Sequence, residues 1–406
     1  MSAPTERQAA EALRAAPPII LAPGPKEPPT RLPPPPDEKW SLPGGTAWVY
    51  YGDGNSALTR PVIVSDGFNT GPSSLEFSWT HLEFGDYPFI SELRRRGRDF
   101  ILLGFDERSA SILENAEAAI AAIRETVARC DGPLAVGGFS MGGLVTRYAL
   151  AKLEKEDRDF DHQTAVYWSY DSPHRGAYIP ISLQAFAHYI APLDPRFSEQ
   201  MNSSASRELL WRHIEHWQDK PGVDKQRADF LAKLAGVGDW PRVPRLIGVA
   251  NGVGSGTGNG IESGATAVLG TGESVTGTTL RTQPTGDDSL VATLRVVTEE
   301  RHEAHAPGLP AVDGAPGGTL EGFGILADAL NQIPALAVEN PTRSHCFVPA
   351  VSAVALRDLD SDDALYGEID PSSADSELHE FKLSSRNQEH GKVTEELCTW
   401  LLERLP

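Results

Sequence analysis

Cysteine is scarce in this 406-residue sequence: Cys130, Cys346 and Cys398 are an odd number, far apart, with no C-x-x-C pair. That spacing argues against a disulfide framework and for reduced core thiols, with one pairing left open should the chain be exported. Positive charge is also short, 36 Lys and Arg against 56 Asp and Glu, for a formal net charge of −20. Such a surface repels phosphate backbones and anionic membranes, so no nucleic-acid partner is expected. No apolar run approaches bilayer length, and stable membrane insertion is not expected. The opening stretch, MSAPTERQAAEALRAAPPII, carries two acidic side chains and no long apolar core, unlike a secretory signal. A cytoplasmic location is the expectation, with another export route left open. Oligomeric state cannot be read from the sequence.

What the sequence has in quantity is turn formers, 38 Gly and 32 Pro. Residues 1–38 form a regime of their own. Gln8 to Ala15 fits a short amphipathic helix, but Pro17 to Pro36 is too proline-dense to pack, so a disordered Pro-rich tail is expected there. From residue 39 the chain alternates. Thr46 to Tyr51 and PVIVS (61–65) read as strands, Tyr87 to Arg96 as a helix, Phe100 to Phe105 as a strand. Ser109 to Ala128 reads as a long helix, with Ile112, Ala116, Ile120, Ile123 and Val127 spaced for one face. Thr164 to Tyr170 is a further strand. This rhythm predicts an α/β domain over 39–406, with a mostly parallel central sheet and helices on both faces.

The rhythm breaks after Asp171. Residues 176–240 read as a helical cap with helices at Ser206 to Trp217 and Lys225 to Ala235. Strand character returns at Val243 to Ala250. Residues 251–298, rich in Gly and Thr, read as an inserted β-hairpin or small meander, and 301–320 as a loop. Ile325 to Ile333 (helix), Phe347 to Leu356 (strand) and Val393 to Arg404 (helix) close the chain.

The stretch that organises the rest is GPLAVGGFSMGGLVTRY, residues 132–148. An apolar run, a tight turn and an apolar-periodic segment put Ser140 at the apex between a strand and a helix. Such a turn strains the serine backbone and leaves no room two positions to either side, which Gly138 and Gly142 satisfy. The hydroxyl is pushed out above the sheet edge. The Met141 amide points into the same space at a helix N-terminus, where negative charge is favoured. An exposed nucleophile beside an anion-stabilising donor is the core of an acyl-transfer site. A second donor, the Phe68 amide, is expected from the Asp66-Gly67-Phe68-Asn69 loop after PVIVS, against the plainer reading of an ordinary βα turn.

A serine attacking a carbonyl needs a base, and the base an orienting carboxylate. His390 stands out among 11 histidines, in a polar loop just before the last helix. Asp171 ends the strand after the nucleophile helix and keeps the chain order Ser, Asp, His. It could equally cap the Ser172-Pro173-His174 turn, and Asp287, Asp288, Asp358 and Asp360 compete for the role. His174 reads as a turn residue. The alternating glycines from Gly252 to Gly260 never fit G-x-G-x-x-G, so no nucleotide cradle is expected. His302, Glu303 and His305 lack H-E-x-x-H spacing, so no metal is expected there. His213 and His216 read as surface or pocket-lining residues.

FSMGGLVTRYAL followed by YDSPHRGAYIPISLQ resembles a bacterial group of lipase-like serine esterases of the α/β-hydrolase superfamily. WPRVPRLIGVANGVG, CFVPAVSA and the NQEH loop extend the resemblance over roughly 61–400. It implies Ser140 as nucleophile, His390 as base, and the Phe68 and Met141 amides as oxyanion donors, with no cofactor. The chain departs from the pattern in one place. Where many lipases carry an acid before V-P-x-x-S, it has Ser344, His345 and Cys346, which turns attention to Asp171. The activity implied is hydrolysis of small or lipid-like carboxylic esters through an acyl-enzyme. A thioesterase, amidase or acyltransferase using the same serine, or a non-catalytic binding relative, are the alternatives. Ile179, Ile181, Leu183, Phe186, Tyr189 and Leu193 in the cap read either as an acyl-chain pocket or as ordinary core.

Overall fold

The computed structural model describes residues 6–22 and 29–406. Its strands, in chain order, begin with β1 (Glu38–Leu42), β2 (Gly45–Tyr50), β3 (Pro61–Ser65), β4 (Asp99–Phe105), β5 (Leu134–Phe139), β6 (Thr164–Tyr170) and β7 (Arg245–Ala250). There follow β8 (Thr266–Gly270), β9 (Thr279–Arg281), β10 (Leu290–Leu294), β11 (His302–His305), β12 (Gly317–Leu320), β13 (Val338–Glu339), β14 (His345–Pro349) and β15 (Glu380–Leu383).

The central sheet has eight strands in the order β1-β2-β4-β3-β5-β6-β7-β15. β2 runs antiparallel to both neighbours, and every other pairing is parallel. Its inner strands β3, β4 and β5 are buried at every residue, as a sheet covered on both faces requires. Side chains alternate between two cores. Ile63, Ile101 and Leu103 face one, and Val62, Val64, Phe100 and Leu102 the other.

On the first face lie α4 (Ile112–Val127) and α5 (Met141–Glu156), contributing Ala119, Ile123, Val145 and Ala149. The second face is covered by α2 (Leu75–Glu83), α3 (Phe89–Arg95) and α13 (Glu395–Leu402), through Trp79, Phe89, Ile90, Leu397 and Leu401. The α/β class expected from the sequence, a mostly parallel sheet with helices on both faces, is therefore what the chain adopts. Strand order reverses between β3 and β5, so the crevice beyond their carboxyl ends is the place where such sheets bind ligands.

Residues 176–240 hold α6 (Ile181–Tyr189), α7 (Arg196–Met201), α8 (Ser204–Leu209) and α9 (Lys225–Gly236). The expected helix from Ser206 to Trp217 stops at Leu209, where Leu210 turns extended and the chain bridges Ala177. The insertion after β7 is larger than the hairpin expected at 251–298. It is a five-stranded antiparallel sheet in the order β11-β10-β9-β8-β13, beside a β12–β14 ribbon. β11 reads HEAH and β12 GGTL, neither with the β-branched alternation that marks a strand, so both were expected as loop. After them come α10 (Gly322–Leu330), α11 (Ala350–Ala353) and α12 (Asp362–Tyr366).

The N-terminal segment departs from the disordered tail expected over 1–38, of which residues 1–5 and 23–28 lie outside the described residues. α1 (Glu6–Ala15) buries Ala9 and Leu13, and Ile19 and Leu21 join the core. Side chains of the folded domain supply donors to backbone carbonyls of this segment. Arg196 donates to the carbonyls of Leu13 and Ala16, and Tyr50 donates to that of Pro34. The Leu21 amide donates to Gln200 Oε1.

Candidate active site

Ser140 sits between β5 and α5 with φ 52° and ψ −123°, a conformation that costs an L-residue roughly 1–3 kcal/mol. The strain persists because the turn is wedged against β3. A Cβ on Gly138 would lie 2.7 Å from both Ser65 O and Gly142 C, and one on Gly142 would strike Ser65 O and reach 2.6 Å from Asp66 O. Only glycine fits at either place.

Asp171 follows β6 directly, with φ 49°, and is wholly buried. Its amide donates to Val249 O at 2.7 Å, and its Oδ1 accepts the Asn251 amide at 3.0 Å. Both bonds come from the end of β7, so the carboxylate is aimed by the neighbouring strand.

His390 arrives on the loop between β15 and α13. β15 pairs in parallel with β7, and the loop is then tied down on several sides. Gln388 N–H donates to Asn251 O, and His390 N–H donates to Thr319 O at 2.8 Å. The Tyr170 hydroxyl and Asn251 Nδ2 both donate to Lys392 O. Phe347 of β14 meets the imidazole edge-on, ring centroids 4.9 Å apart.

These supports bring the three side chains into one line. His390 Nδ1 is 2.7 Å from Asp171 Oδ2, and His390 Nε2 is 2.7 Å from Ser140 Oγ. The tautomer that satisfies both bonds carries its proton on Nδ1, where it donates to the carboxylate. Nε2 is then free to accept from the serine hydroxyl. The serine and the histidine are 250 positions apart in sequence.

The competing acids are elsewhere. Asp287, Asp288, Asp358 and Asp360 are exposed; Asp288 pairs with His305 and Asp360 with Arg212. His174 bonds Ser169 Oγ and packs against Trp240, and burial holds its imidazole well below the usual range. His213 is not a surface residue. It is buried between Met201 O and Asp224, whereas His216 is exposed beside Asp219. His345 is buried and bonds Cys346 O, and desolvation lowers it to about 4.

Phe68 follows β3 and its neighbour Gly67 lies against Ser140, while Met141 opens α5 directly after Ser140. Among the described residues neither amide has a protein acceptor. Ile179, Ile181, Leu183, Phe186 and Leu193 are buried in the main core, where α6 packs against β9 and β10. They are filled core rather than an open acyl-chain pocket. Two surface hollows, of about 520 and 420 Å³, are lined from Leu356 to Asp375 and by Trp217 to Lys220 with Asp287 to Pro307; neither borders Ser140. Ser140 itself is 5% exposed, so the line of groups is closed over.

One neighbour had no signal in the sequence. His81 of α2 puts Nε2 3.0 Å from Gly391 O, beside the base, and burial lowers its pKa. Among the described residues no group of three or more His, Cys, Asp or Glu is arranged to hold a metal ion, and no helix is long and apolar enough to cross a membrane.

No family model matches the chain, and no curated protein matches it. Among solved structures it is similar to a Bacillus licheniformis lipase in its mature form, at 14% identity and TM-score 0.32, over 51% of this chain and 73% of that one. A Xanthomonas campestris α/β serine hydrolase without a lid aligns at 18% identity and TM-score 0.25, over 36% of this chain and 65% of that one, less than two thirds of its length. A structure of two prolyl endopeptidases aligns at 11% identity and TM-score 0.31, over 52% and 29%. At these identities and scores neither substrate nor mechanism carries across.

Proposed function

We propose that the chain is a serine hydrolase that cleaves carboxylic esters through an acyl-enzyme. The observation that carries the reading is the unbroken line Ser140–His390–Asp171, both contacts at 2.7 Å, with the serine on a strained strand-to-helix turn.

The Ser140 hydroxyl attacks the ester carbonyl as His390 Nε2 takes its proton. Asp171 holds the imidazole in the required tautomer and stabilises the imidazolium that forms. Negative charge builds on the former carbonyl oxygen, which lies toward the Phe68 and Met141 amides at the N-terminus of α5. His390 then hands its proton to the leaving alkoxide, the C–O bond breaks and the alcohol departs. A water gives its proton to Nε2 and attacks the acyl-serine; the same proton returns to Ser140 Oγ as the carboxylic acid leaves. No step calls for a cofactor.

Esters are favoured over amides and thioesters by the likeness of the motif stretches to lipase-like esterases, and the partner is then a small or lipid-like ester. The test is labelling with a fluorophosphonate probe, with hydrolysis of p-nitrophenyl esters measured beside acyl-thioesters and anilides. Labelling confined to Ser140, with esters turned over fastest, supports the reading. Absence of labelling on folded protein overturns it, and faster thioester or anilide cleavage moves the substrate class.

A further inference from the structure

The site has an inner wall that the motif residues do not supply. β12 belongs to the ribbon with β14, outside the central sheet, yet it runs alongside the loop that carries the base. Thr319 N–H donates to Gln388 O at 2.9 Å, and Thr319 Oγ1 donates to the same oxygen at 3.2 Å. In return Thr319 O accepts the His390 amide at 2.8 Å. The β12–β14 pairing slips register between Gly318 and Thr319, and at that slip the strand passes behind the carboxylate.

We infer that Gly318 is a positioning residue for the Ser140–His390–Asp171 line: its missing side chain is the space in which the Asp171 carboxylate meets the imidazole. A Cβ at Gly318 would collide with Asp171 Oδ2, the oxygen that faces His390 Nδ1, and would lie 3.1 Å from Asp171 Cγ and 3.0 Å from His390 Cα. The requirement is for space and not for backbone freedom, because Gly318 is not among the glycines with positive φ. Nor has the carboxylate anywhere to retreat. Oδ1 is held by the Asn251 amide, Oδ2 is also 3.4 Å from Gly391 N, and the group is fully buried. A methyl group at 318 therefore rotates the carboxylate away from Nδ1 or pushes the base loop off Thr319. In either case the imidazole loses its orienting partner while the serine turn, built on β3 and β5, stays as it is.

The inference rests on the proposed acyl-transfer reading, and its test separates the two. Gly318→Ala is compared with wild type in kcat, KM and the pH profile of kcat/KM on a p-nitrophenyl ester, with thermal unfolding in parallel. Expected are a fall in kcat between about 10²- and 10⁴-fold, the upper figure being the scale of a lost orienting carboxylate, KM within about twofold, and an acid limb moved to lower pH because an unpaired imidazole is less basic. Full turnover in folded Gly318→Ala overturns the inference. A loss of kcat with an unmoved acid limb also overturns it, because that is the signature of a purely structural role.

Should Gly318→Ala not fold, the Asp171→Ala background decides. With the carboxylate gone the worst collision is removed and only the 3.0 Å approach to His390 Cα remains, which a shift of a few tenths of an ångström relieves, so Asp171→Ala/Gly318→Ala should melt within a few degrees of Asp171→Ala. A double variant that melts far lower, or does not fold, shows that residue 318 presses on something else and overturns the inference. If wild type hydrolyses no ester and takes no probe, the proposed function fails, and this stability comparison still tests the contact.

Discussion

Glu208 caps a helix that is not its own: its Oε2 accepts the Ile112 amide of α4 at 2.6 Å, while its Oε1 accepts the Ser111 hydroxyl at 2.6 Å. A carboxylate from α8 thereby satisfies orphan donors at the start of a central helix and ties the 176–240 segment to the sheet. Glu208→Ala leaves the Ile112 amide buried without that partner. It should cost about 1–3 kcal/mol, read as a lower urea midpoint with an unchanged slope. An unchanged midpoint would mean that the two layers hold together without this tie.

Burial sets a second expectation, in pH. Asp313 and Glu208 are both pushed up by desolvation, to about 7 from ordinary values of 3.8 and 4.5, against the hydrogen bonds they accept. Groups whose folded pKa is raised contribute stability that is complete below about pH 4 and is lost as pH rises through about 7. For Asp313 the effect is on the order of a few kcal/mol. Asp313→Asn keeps an acceptor for the Gln283 amide and cannot ionise. Its melting temperature should therefore fall less than that of wild type between pH 4.5 and 8. Parallel curves for the two proteins would show that the carboxyl pays no penalty for ionising.

Ser140→Ala should lower turnover by about 10⁶-fold, the scale seen when a triad nucleophile is removed. Circular dichroism and melting should stay close to wild type, because alanine meets the same φ strain at this turn as serine. Asp171→Asn should cost about 10⁴-fold. A rate near wild type for Asp171→Asn would transfer the acid role to another carboxylate.

The packed N-terminal segment makes a prediction that a loose tail would not. Leu13 and Leu21 are buried, so replacing either by Ala should destabilise the protein by about 2–5 kcal/mol. Melting temperatures indistinguishable from wild type would mean that residues 6–22 contribute no packing.

The layered α/β architecture was legible because its inner strands are fully buried and its helices periodic, as in PVIVS and in Ile112 to Val127. The three residues expected as nucleophile, base and acid are brought within hydrogen-bond reach, and Asp171 is separated from its four rivals by the Val249 carbonyl and the Asn251 amide at the end of β7. Less legible was everything decided by distant packing. β15, the strand that delivers the base loop, is only EFKL. β12 carries two glycines, which by propensity argue against a strand, yet its carbonyl at Thr319 holds His390. The burial of Ile19 and Leu21 and the bond from Tyr50 to Pro34 O are hidden for the same reason, since their partners lie far away in sequence.

The chain leaves the central sheet after Ala250 and rejoins it only at Glu380. The serine turn and Asp171 belong to neighbouring strands and form with the first half of the sheet. The imidazole is held by Thr319, which belongs to the excursion from 251 to 379, so its placement needs a closure of large sequence separation, the kind that is slow. On the acyl-transfer reading proposed above, the Ser140–His390 contact is therefore the one of the two in the line with the longer stretch of intervening chain to bring together.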